Sequence, residues 1–420
     1  MNASVTGAAA NLPPRGALRL VADPTFGGLF WGKLFATAGM FVHSIVAAIV
    51  VFEATSSALM VGLVTVAQFA PQLFLAPLSG SWADRGHAAS QIMVGRILCL
   101  AGSGSLALWM WLTPGTTRNS DAIAVLLAST VVGLGFVVGG PALNSIVPSL
   151  VRPGELATAV ALNTAPSTAG RIGGPVLGSF VAADQGPAAG FGIAAAGHLI
   201  FVVILIVIRL PAPAAHRGGV DYSIKGVLQH VRRDRPLLLQ LLAIAMIGFA
   251  AEPSLTLAPA LADDLGGGAH LVGHLSAAFG AGAALGLGLL STIAQRLASA
   301  TASATGLWLL AAGLLAVAVS PSAWIALAAF VVVGIGFSAA MSGVSTLIQE
   351  RAPDELRGRI MALWMVGFVG SRPIAAALVG LAADAWSVET AFISTAVLMA
   401  LAAALCRPRA LVGSADGIGR

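Results

Sequence analysis

The chain has 420 residues, of which 57% are hydrophobic and only 9% are charged, with a formal net charge of +5. A soluble protein with a large core is excluded, because almost no polar face remains for water to solvate. Nucleic-acid binding is also excluded as the reason for the positive charge, since the basic residues are scattered and no aromatic-plus-basic patch accompanies them.

Twelve apolar runs reach the length of about 20 residues that a helix needs to cross a bilayer. They predict an all-α membrane protein with twelve transmembrane helices in two pseudo-symmetric six-helix halves. The predicted spans, numbered 1 to 12, cover residues 29–52, 59–82, 91–112, 121–148, 157–183, 188–208, 237–262, 269–294, 301–319, 323–348, 357–384 and 387–406.

Basic residues mark alternate segments between the spans, which predicts an orientation in the bilayer. Arginine-rich segments are assigned to the cytoplasm, and Arg118 is the one arginine in a segment assigned outside. The even number of spans then places both tails, 1–28 and 407–420, in the cytoplasm. Residues 1–28 do not resemble a cleavable signal peptide. Since abundant Ala, Gly and Arg are typical of a GC-rich bacterial genome, we expect a multi-pass protein of a bacterial inner membrane.

The longest polar interruption, 209–236, separates a six-span half over 29–208 from a second half over 237–406. Its second part, from Tyr222 to Arg233, predicts an amphipathic helix on the inner membrane surface, with Val227, Leu228 and Val231 toward lipid. The halves also match at an offset of 200 residues, which favours duplication, and chance matching in a biased sequence is the alternative. The matched pairs are Pro153 and Pro353, Glu155 and Glu355, Leu156 and Leu356, Gly170 and Gly370, and Asp184 and Asp384.

Polar residues between spans 2 and 3 form the segment GSWADRGH, which contains Gly80, Asp84 and Arg85. The segment resembles the loop 2–3 signature of the major facilitator superfamily, G-x-x-x-D-R-x-x-R-R. The resemblance implies that the Asp and Arg act as a cytoplasmic gate between the two halves. Ala88 and Ala89 replace the trailing basic pair, so we expect a weaker gate. An ordinary polar turn is the alternative.

Span 5 carries Gly170, Gly174 and Gly178 at intervals of four residues, which predicts a stripe where another helix packs closely. Together with Pro175, this stripe resembles the antiporter motif of exporters in the same superfamily, which ends in G-P-x-x-G. The segments LVRPGELATAVALN, QFAPQLFLAPLSGSWADR and PDELRGRIMALW extend the resemblance to the branch with enterobactin-type and macrolide-type exporters. It runs from about Phe26 to Ala404.

Ionisable residues deep in a membrane are costly and indicate function. Glu252 in span 7 is the first candidate for a proton carrier, because desolvation and a nearby arginine act in opposite directions on a carboxylate. His43 in span 1 is the second candidate, since its ordinary pKa lies in the working range. Arg171 in span 5 and Arg372 in span 11 bind an anionic substrate group, balance Glu252, or act as structural hubs. The resemblance implies that spans 1, 4, 7 and 10 line a central cavity.

Amide side chains on the spans add further substrate-binding candidates, namely Gln72, Asn144 and Asn163. A mostly apolar site with few polar anchors suits an amphipathic organic solute. The sequence has no phosphate-binding loop, metal cluster or nucleophile elbow, so we expect no enzyme activity, no cofactor and no metal.

The sequence therefore predicts a secondary active transporter that exports a drug-like or siderophore-like solute in exchange for protons, by alternating access. Its expected partners are this small organic solute, protons and the lipid bilayer, with no nucleic acid, and we expect a monomer. Uptake or facilitative transport is one alternative. A non-transporting membrane receptor or assembly factor on the same fold is another.

Overall fold

Helices account for nearly all of the computed structural model, which describes residues 14–82, 87–115, 117–152, 154–208, 210, 224–293, 299–353 and 356–412. No residue within these ranges lies in a β-strand. The predicted all-α architecture is therefore confirmed. The spans occupy Pro24–Thr55, Ala58–Trp82, Ala88–Leu112, Asn119–Ser145, Leu156–Gln185, Pro187–Ile208, a segmented span 7 over 235–264, Gly268–Ile293, Ser299–Ala318, Ala323–Arg351, Arg357–Ala385 and Val388–Leu405.

Eleven of these helices are long and apolar enough to cross a membrane, counted over the described residues. Span 5 is the long helix outside that group, although it has 30 residues. Polar side chains interrupt its apolar run, including Asn163, Thr164, Thr168 and Arg171. Helices suit a bilayer because they satisfy every backbone N–H and C=O group internally.

Local sequence signals determine where several helices begin and end. The Asp234 carboxylate accepts a hydrogen bond from the Leu237 amide at 3.2 Å, so it caps the start of span 7. Ser387 caps span 12 in the same way, through the Thr390 amide at 3.0 Å. Between spans 5 and 6 the chain reverses at Gly186, whose φ of 88° is readily adopted by glycine.

The contacts define two compact units. Among the described residues, the first falls within the ranges 1–46, 71–115 and 127–217, and the second within the ranges 47–70, 116–126 and 218–420. The second unit thus includes the ends of spans 1, 2 and 4 that the arginine pattern assigns to the outside. The predicted boundary at 209–236 stays a prediction of the sequence, because half of this segment lies outside the described residues.

Within the first unit, a short helix, Ala17–Val21, precedes span 1 and contributes Leu20 to a buried hydrophobic cluster. This cluster also contains Phe26 of span 1, Ile92 of span 3 and Phe201 of span 6. Burial of these side chains stabilises the packing of this short helix within the first unit.

Within the second unit, a short helix, Pro408–Val412, follows span 12 and is held by two backbone contacts. Arg351 donates to the Val412 carbonyl at 3.0 Å, and Gln240 donates to the Leu411 carbonyl at 2.8 Å. Arg351 also pairs with the capping carboxylate of Asp234 at 2.8 Å. The end of span 10 is thereby connected to span 7.

The predicted surface helix is present over Ile224–Arg233. Its orientation differs from the prediction, because Val227 and Val231 are buried at 3% and 4% exposure. These valines pack against the protein instead of lipid, while Leu228 remains exposed. The sequence pattern identified the apolar face of the helix but not what that face contacts.

Candidate functional site

Span 7 is interrupted at Glu252. One helix, Arg235–Ala251, ends there, and the next begins at Pro253, which has no amide hydrogen and disfavours a continuous helix. The Glu252 side chain is fully buried, with 0% exposure. Interrupted helices at membrane depth are where secondary transporters bind ions and substrates.

Three donors surround the Glu252 carboxylate. Arg372 of span 11 donates from Nε to Oε2 at 2.8 Å. Thr65 of span 2 and Thr256 of span 7 donate from their hydroxyls to Oε1 at 3.1 and 3.2 Å. Every one of these residues belongs to the second compact unit. The arrangement suits an ionised carboxylate, which accepts all three hydrogen bonds.

The Arg372 guanidinium lies over the Phe69 ring, with its central carbon 4.4 Å from the ring centroid. Both side chains are buried, at 7% exposure each. A desolvated cation over an aromatic face is stabilised by the ring quadrupole. Glu252, Arg372, Thr65, Thr256 and Phe69 are called the Glu252 cluster below. The cluster joins span 2 to spans 7 and 11.

The end of span 2 nearest the Glu252 cluster is capped by Asp384 of span 11. The Asp384 carboxylate accepts hydrogen bonds from the amides of Ala58 and Leu59 at 2.7 and 3.2 Å. It also accepts a hydrogen bond from the Ser57 hydroxyl. A carboxylate at a helix N-terminus satisfies unpaired amides and complements the helix dipole.

Spans 2 and 11 pack closely beside this cap. A Cβ added at Gly380 would lie 2.6 Å from the Ala58 carbonyl oxygen, and one at Gly62 would lie 2.3 Å from that of Ala376. Glycine is required at both positions because any side chain would separate the helices. The Asp384 cap and these two glycines are called the span 2–11 joint.

His43 lies inside the first unit, with 0% exposure. Its ring nitrogens lie 3.1 Å from the hydroxyls of Ser103 and Ser129, on spans 3 and 4. The edge-to-face contact with Phe191 of span 6 places the ring centroids 5.4 Å apart. His43 therefore connects span 1 to three neighbouring helices, and its polar atoms are already satisfied by hydroxyls.

The glycine stripe of span 5 lies against span 1. Added Cβ atoms at Gly170 and Gly174 would each lie 2.8 Å from backbone atoms of Ala38, and one at Gly178 would lie 3.0 Å from the Cα of Val42. Pro175, next to the stripe, is buried within the same helix. The sequence pattern thus located a close helix contact, and the structure identifies span 1 as the partner.

Two polar contacts accompany this packing. Lys33 of span 1 donates to the backbone carbonyl and side-chain oxygen of Asn163 at 2.7 and 3.1 Å. Eight residues further along each helix, Arg171 lies over the Phe41 ring at 5.7 Å. Asn163 and Arg171 are both half-buried and lie about two turns apart on one side of span 5. The structure therefore brings two predicted residues into one line, with Lys33 beside them.

Other predicted residues lie apart from these contacts. Gln72 is half-buried on span 2, and Gly80 lies in the last turn of the same helix. Asn144 is helical at the end of span 4, but its side chain lies outside the described part of the structure. Asp84 and Arg85 lie outside the described residues.

Sequence reasoning missed several residues of the site. Lys33 falls within an apolar run, so the rule that treats intramembrane charges as functional would have selected it. Thr65, Thr256 and Phe69 gave no such signal, because threonine and phenylalanine are common in membrane helices. Their importance depends on which helices meet, and only the fold provides that information.

A second charged contact fastens the N-terminal helix. The Glu155 carboxylate accepts hydrogen bonds from the Arg15 guanidinium at 2.8 and 2.9 Å and from the Arg152 amide at 2.9 Å. The Arg15 hydrogen bond is the main reason that the pKa of Glu155 falls to about 2. Arg15 also pairs with Asp23, so one arginine binds two carboxylates.

Comparison with known proteins gives a consistent result. A family model described as transmembrane secretion effector matches residues 16–415. Similar curated proteins include those named enterobactin exporter EntS from Shigella boydii serotype 18 and Escherichia coli O1:K1. Each is 26% identical over 380 residues, which cover 86% of this chain and 86% of the relative.

Similar solved structures include a bacterial homolog of the human lysosomal transporter Spinster, in an inward-facing and unoccupied conformation. Its TM-score is 0.73 at 15% identity, covering 93% of this chain and 98% of the other. A peptide transporter, POT, in complex with sulfate has a TM-score of 0.67 at 17% identity, with 96% of each chain covered. At such low identity these likenesses establish the fold alone, which is the predicted major facilitator fold.

Proposed function

The chain belongs to the transmembrane secretion effector family, whose members are major facilitator transporters and not enzymes, and on this premise we propose that it exports an amphipathic organic solute in exchange for protons. It acts as a monomer in a bacterial inner membrane, with both termini in the cytoplasm. The solute is drug-like or siderophore-like, in keeping with the resemblance to enterobactin exporters.

The observation that carries the proposal is the buried ion pair of Glu252 and Arg372 at the interruption of span 7. A buried carboxylate and arginine are expensive to desolvate and are weak evidence of a role in stability. In a membrane helix such a pair is more readily explained by ion or substrate movement. Glu252 is therefore assigned as the proton carrier and Arg372 as its counter-charge.

The position of the Glu252 cluster suggests how a proton would control the transporter. The cluster and the span 2–11 joint hold the predicted outer end of span 2 against spans 7 and 11. A proton on Glu252 removes the negative charge that Arg372 binds and reduces the acceptor capacity for Thr65 and Thr256. The contact then weakens, and these helix ends separate.

The solute acts on the same contact. An acidic or strongly polar group of the solute competes with Glu252 for Arg372, which weakens the Glu252 cluster without a proton. The transporter without bound solute or proton does not change conformation, because neither ligand is present to break the ion pair. Movement of solute and movement of protons are coupled for this reason, since only the loaded forms change conformation.

The decisive experiment uses purified protein in liposomes with an imposed pH gradient and a panel of amphipathic solutes. Glu252→Gln should retain solute exchange and lose solute-driven proton flux, because glutamine does not titrate. Glu350→Gln is the matched control, since Glu350 is exposed at the end of span 10. It should leave both fluxes unchanged.

The outcomes separate the parts of the proposal. Solute-driven proton flux that persists in Glu252→Gln would show that another group carries the proton. Solute transport by the wild type without any proton flux would contradict antiport and favour a facilitative transporter. Absence of solute transport from folded wild-type protein, across the whole panel, would contradict the transport function for this class of solute.

A further inference from the structure

Arg96 of span 3 is a buried charge that the proposed transport cycle does not use. It is 2% exposed and is the largest of the fully buried side chains. Its guanidinium lies between two rings, with the central carbon 5.2 Å from the centroid of Phe136 and 5.7 Å from that of Phe201. Its Nε has no hydrogen-bond partner in the protein. Aromatic faces offset only part of the cost of burying a positive charge.

His198 of span 6 lies one helical turn before Phe201, whose ring faces this guanidinium. It has 0% exposure, and neither ring nitrogen has a hydrogen-bond partner in the protein. It precedes Phe201 by three residues, so both side chains lie on one side of the helix. The first unit therefore contains two buried side chains, Arg96 and His198, with nitrogens that lack hydrogen-bond partners in the protein.

No acidic side chain described in this unit balances these groups. Asp23 and Glu155 bind Arg15, and Asp184 lies in the last turn of span 5. Lys33 contacts the two neutral oxygens of Asn163. Buried charges in proteins are normally paired, and no ion pair to Arg96 is found among the described residues.

The guanidinium is closely packed on two sides. A Cβ added at Gly139 of span 4 would be in van der Waals contact with the Arg96 terminal nitrogen Nη2, at 3.5 Å. On the other side, the Phe201 ring lies against Gly32, where an added Cβ would come within 2.1 Å.

We propose that Arg96 and His198 bind one small anionic group of halide or carboxylate size. The ligand is small because both side chains are almost completely enclosed. It is an anion because a guanidinium supplies donors and no acceptors. The anion is either dissolved halide or a carboxylate group that enters from a small organic acid.

The test measures anion binding by purified wild-type protein in detergent, in gluconate buffer at fixed ionic strength. Bromide and chloride should bind saturably by isothermal titration calorimetry and should raise the unfolding temperature. Arg96→Gln should abolish both effects. The matched control Arg118→Gln replaces an exposed arginine and should keep the wild-type response. His198→Gln should weaken bromide binding about tenfold through the loss of one charge-assisted hydrogen bond.

Competition identifies the source of the anion. Displacement of bromide by benzoate would show that an organic carboxylate enters the site, and failure to displace it would assign the site to dissolved halide. Saturable bromide binding that is lost in Arg96→Gln supports the proposal in either case. Absence of bromide binding to the wild type, or equal binding by His198→Gln and the wild type, would overturn it. If Arg96→Gln does not fold, the comparison of bromide binding by His198→Gln and the wild type still tests the proposal.

Discussion

Replacement of Gly174 by alanine tests whether the contact between spans 1 and 5 depends on the absence of a side chain. The new Cβ would lie 2.6 Å from the Phe41 Cβ and 2.8 Å from the Ala38 carbonyl oxygen. Ordinary contacts are about 3.5–4.0 Å, so one of the two helices must move away. Overpacking of this kind costs about 1–3 kcal/mol.

Gly173 provides a control one residue away. An added Cβ at this position meets no heavy atom within 4 Å. Alanine is the better helix former by about 0.5–1 kcal/mol, so Gly173→Ala should be neutral or slightly stabilising. The two variants have the same composition and nearly the same depth, and they differ in whether the methyl group meets span 1.

The assay is reversible unfolding in mixed micelles, followed by the tryptophan signal as the fraction of denaturing detergent increases. Gly174→Ala should unfold at a lower fraction than the wild type, and Gly173→Ala should not. Gly174→Ala should also transport more slowly, because the displaced helix moves Arg171 from the Phe41 ring. Equal stability of the two variants would refute the close approach of spans 1 and 5 at this position.

Three further predictions concern charged contacts. Glu252→Gln and Arg372→Gln should each destabilise the protein by about 3–5 kcal/mol, and the double variant should lose less than the sum, as a double-mutant cycle of unfolding free energies will show. Asp384→Asn should cost about 1 kcal/mol by weakening the cap of span 2, and cysteine labelling near Ser57 should become faster if the span 2–11 joint controls access. Because the pKa of Glu155 is lowered from 4.5 to about 2 by Arg15, this carboxylate stabilises the fold above about pH 4.5 and loses that effect as the pH falls through 2. Glu155→Gln should therefore be less stable than the wild type at pH 7, and the difference should disappear between pH 4.5 and 2 in denaturation curves measured at several pH values.

The predictions from sequence succeeded where one helix carries the whole signal. The apolar runs gave the spans, and the spacing of Gly170, Gly174 and Gly178 indicated a close contact on one face of span 5. The linker helix was found from the same kind of periodicity. The sequence did not show what each apolar face contacts. Val227 and Val231 illustrate this, because an apolar stripe can pack against protein or against lipid.

The candidate site was partly foreseen. Glu252 and Arg372 stand out in sequence because each is an ionisable residue within an apolar run. Glu252 and Arg372 are 120 positions apart in the chain. From the sequence alone, Arg171 in span 5 was an equal candidate for pairing with Glu252. Lys33 and Arg96 are also ionisable residues within apolar runs, but only the structure shows which groups surround them.

The sequence by itself determined that this chain lies in a membrane, that its apolar runs form helices, and that charged residues such as Glu252 and Arg372 fall within those runs. These properties depend on transfer free energies that add along the chain, so they are readable without a fold. The tertiary structure decided which charges are paired and which are not. Glu252 meets Arg372, while Arg96 meets aromatic rings. That difference depends on helix packing within a few ångströms, which is the range over which a buried ion pair forms.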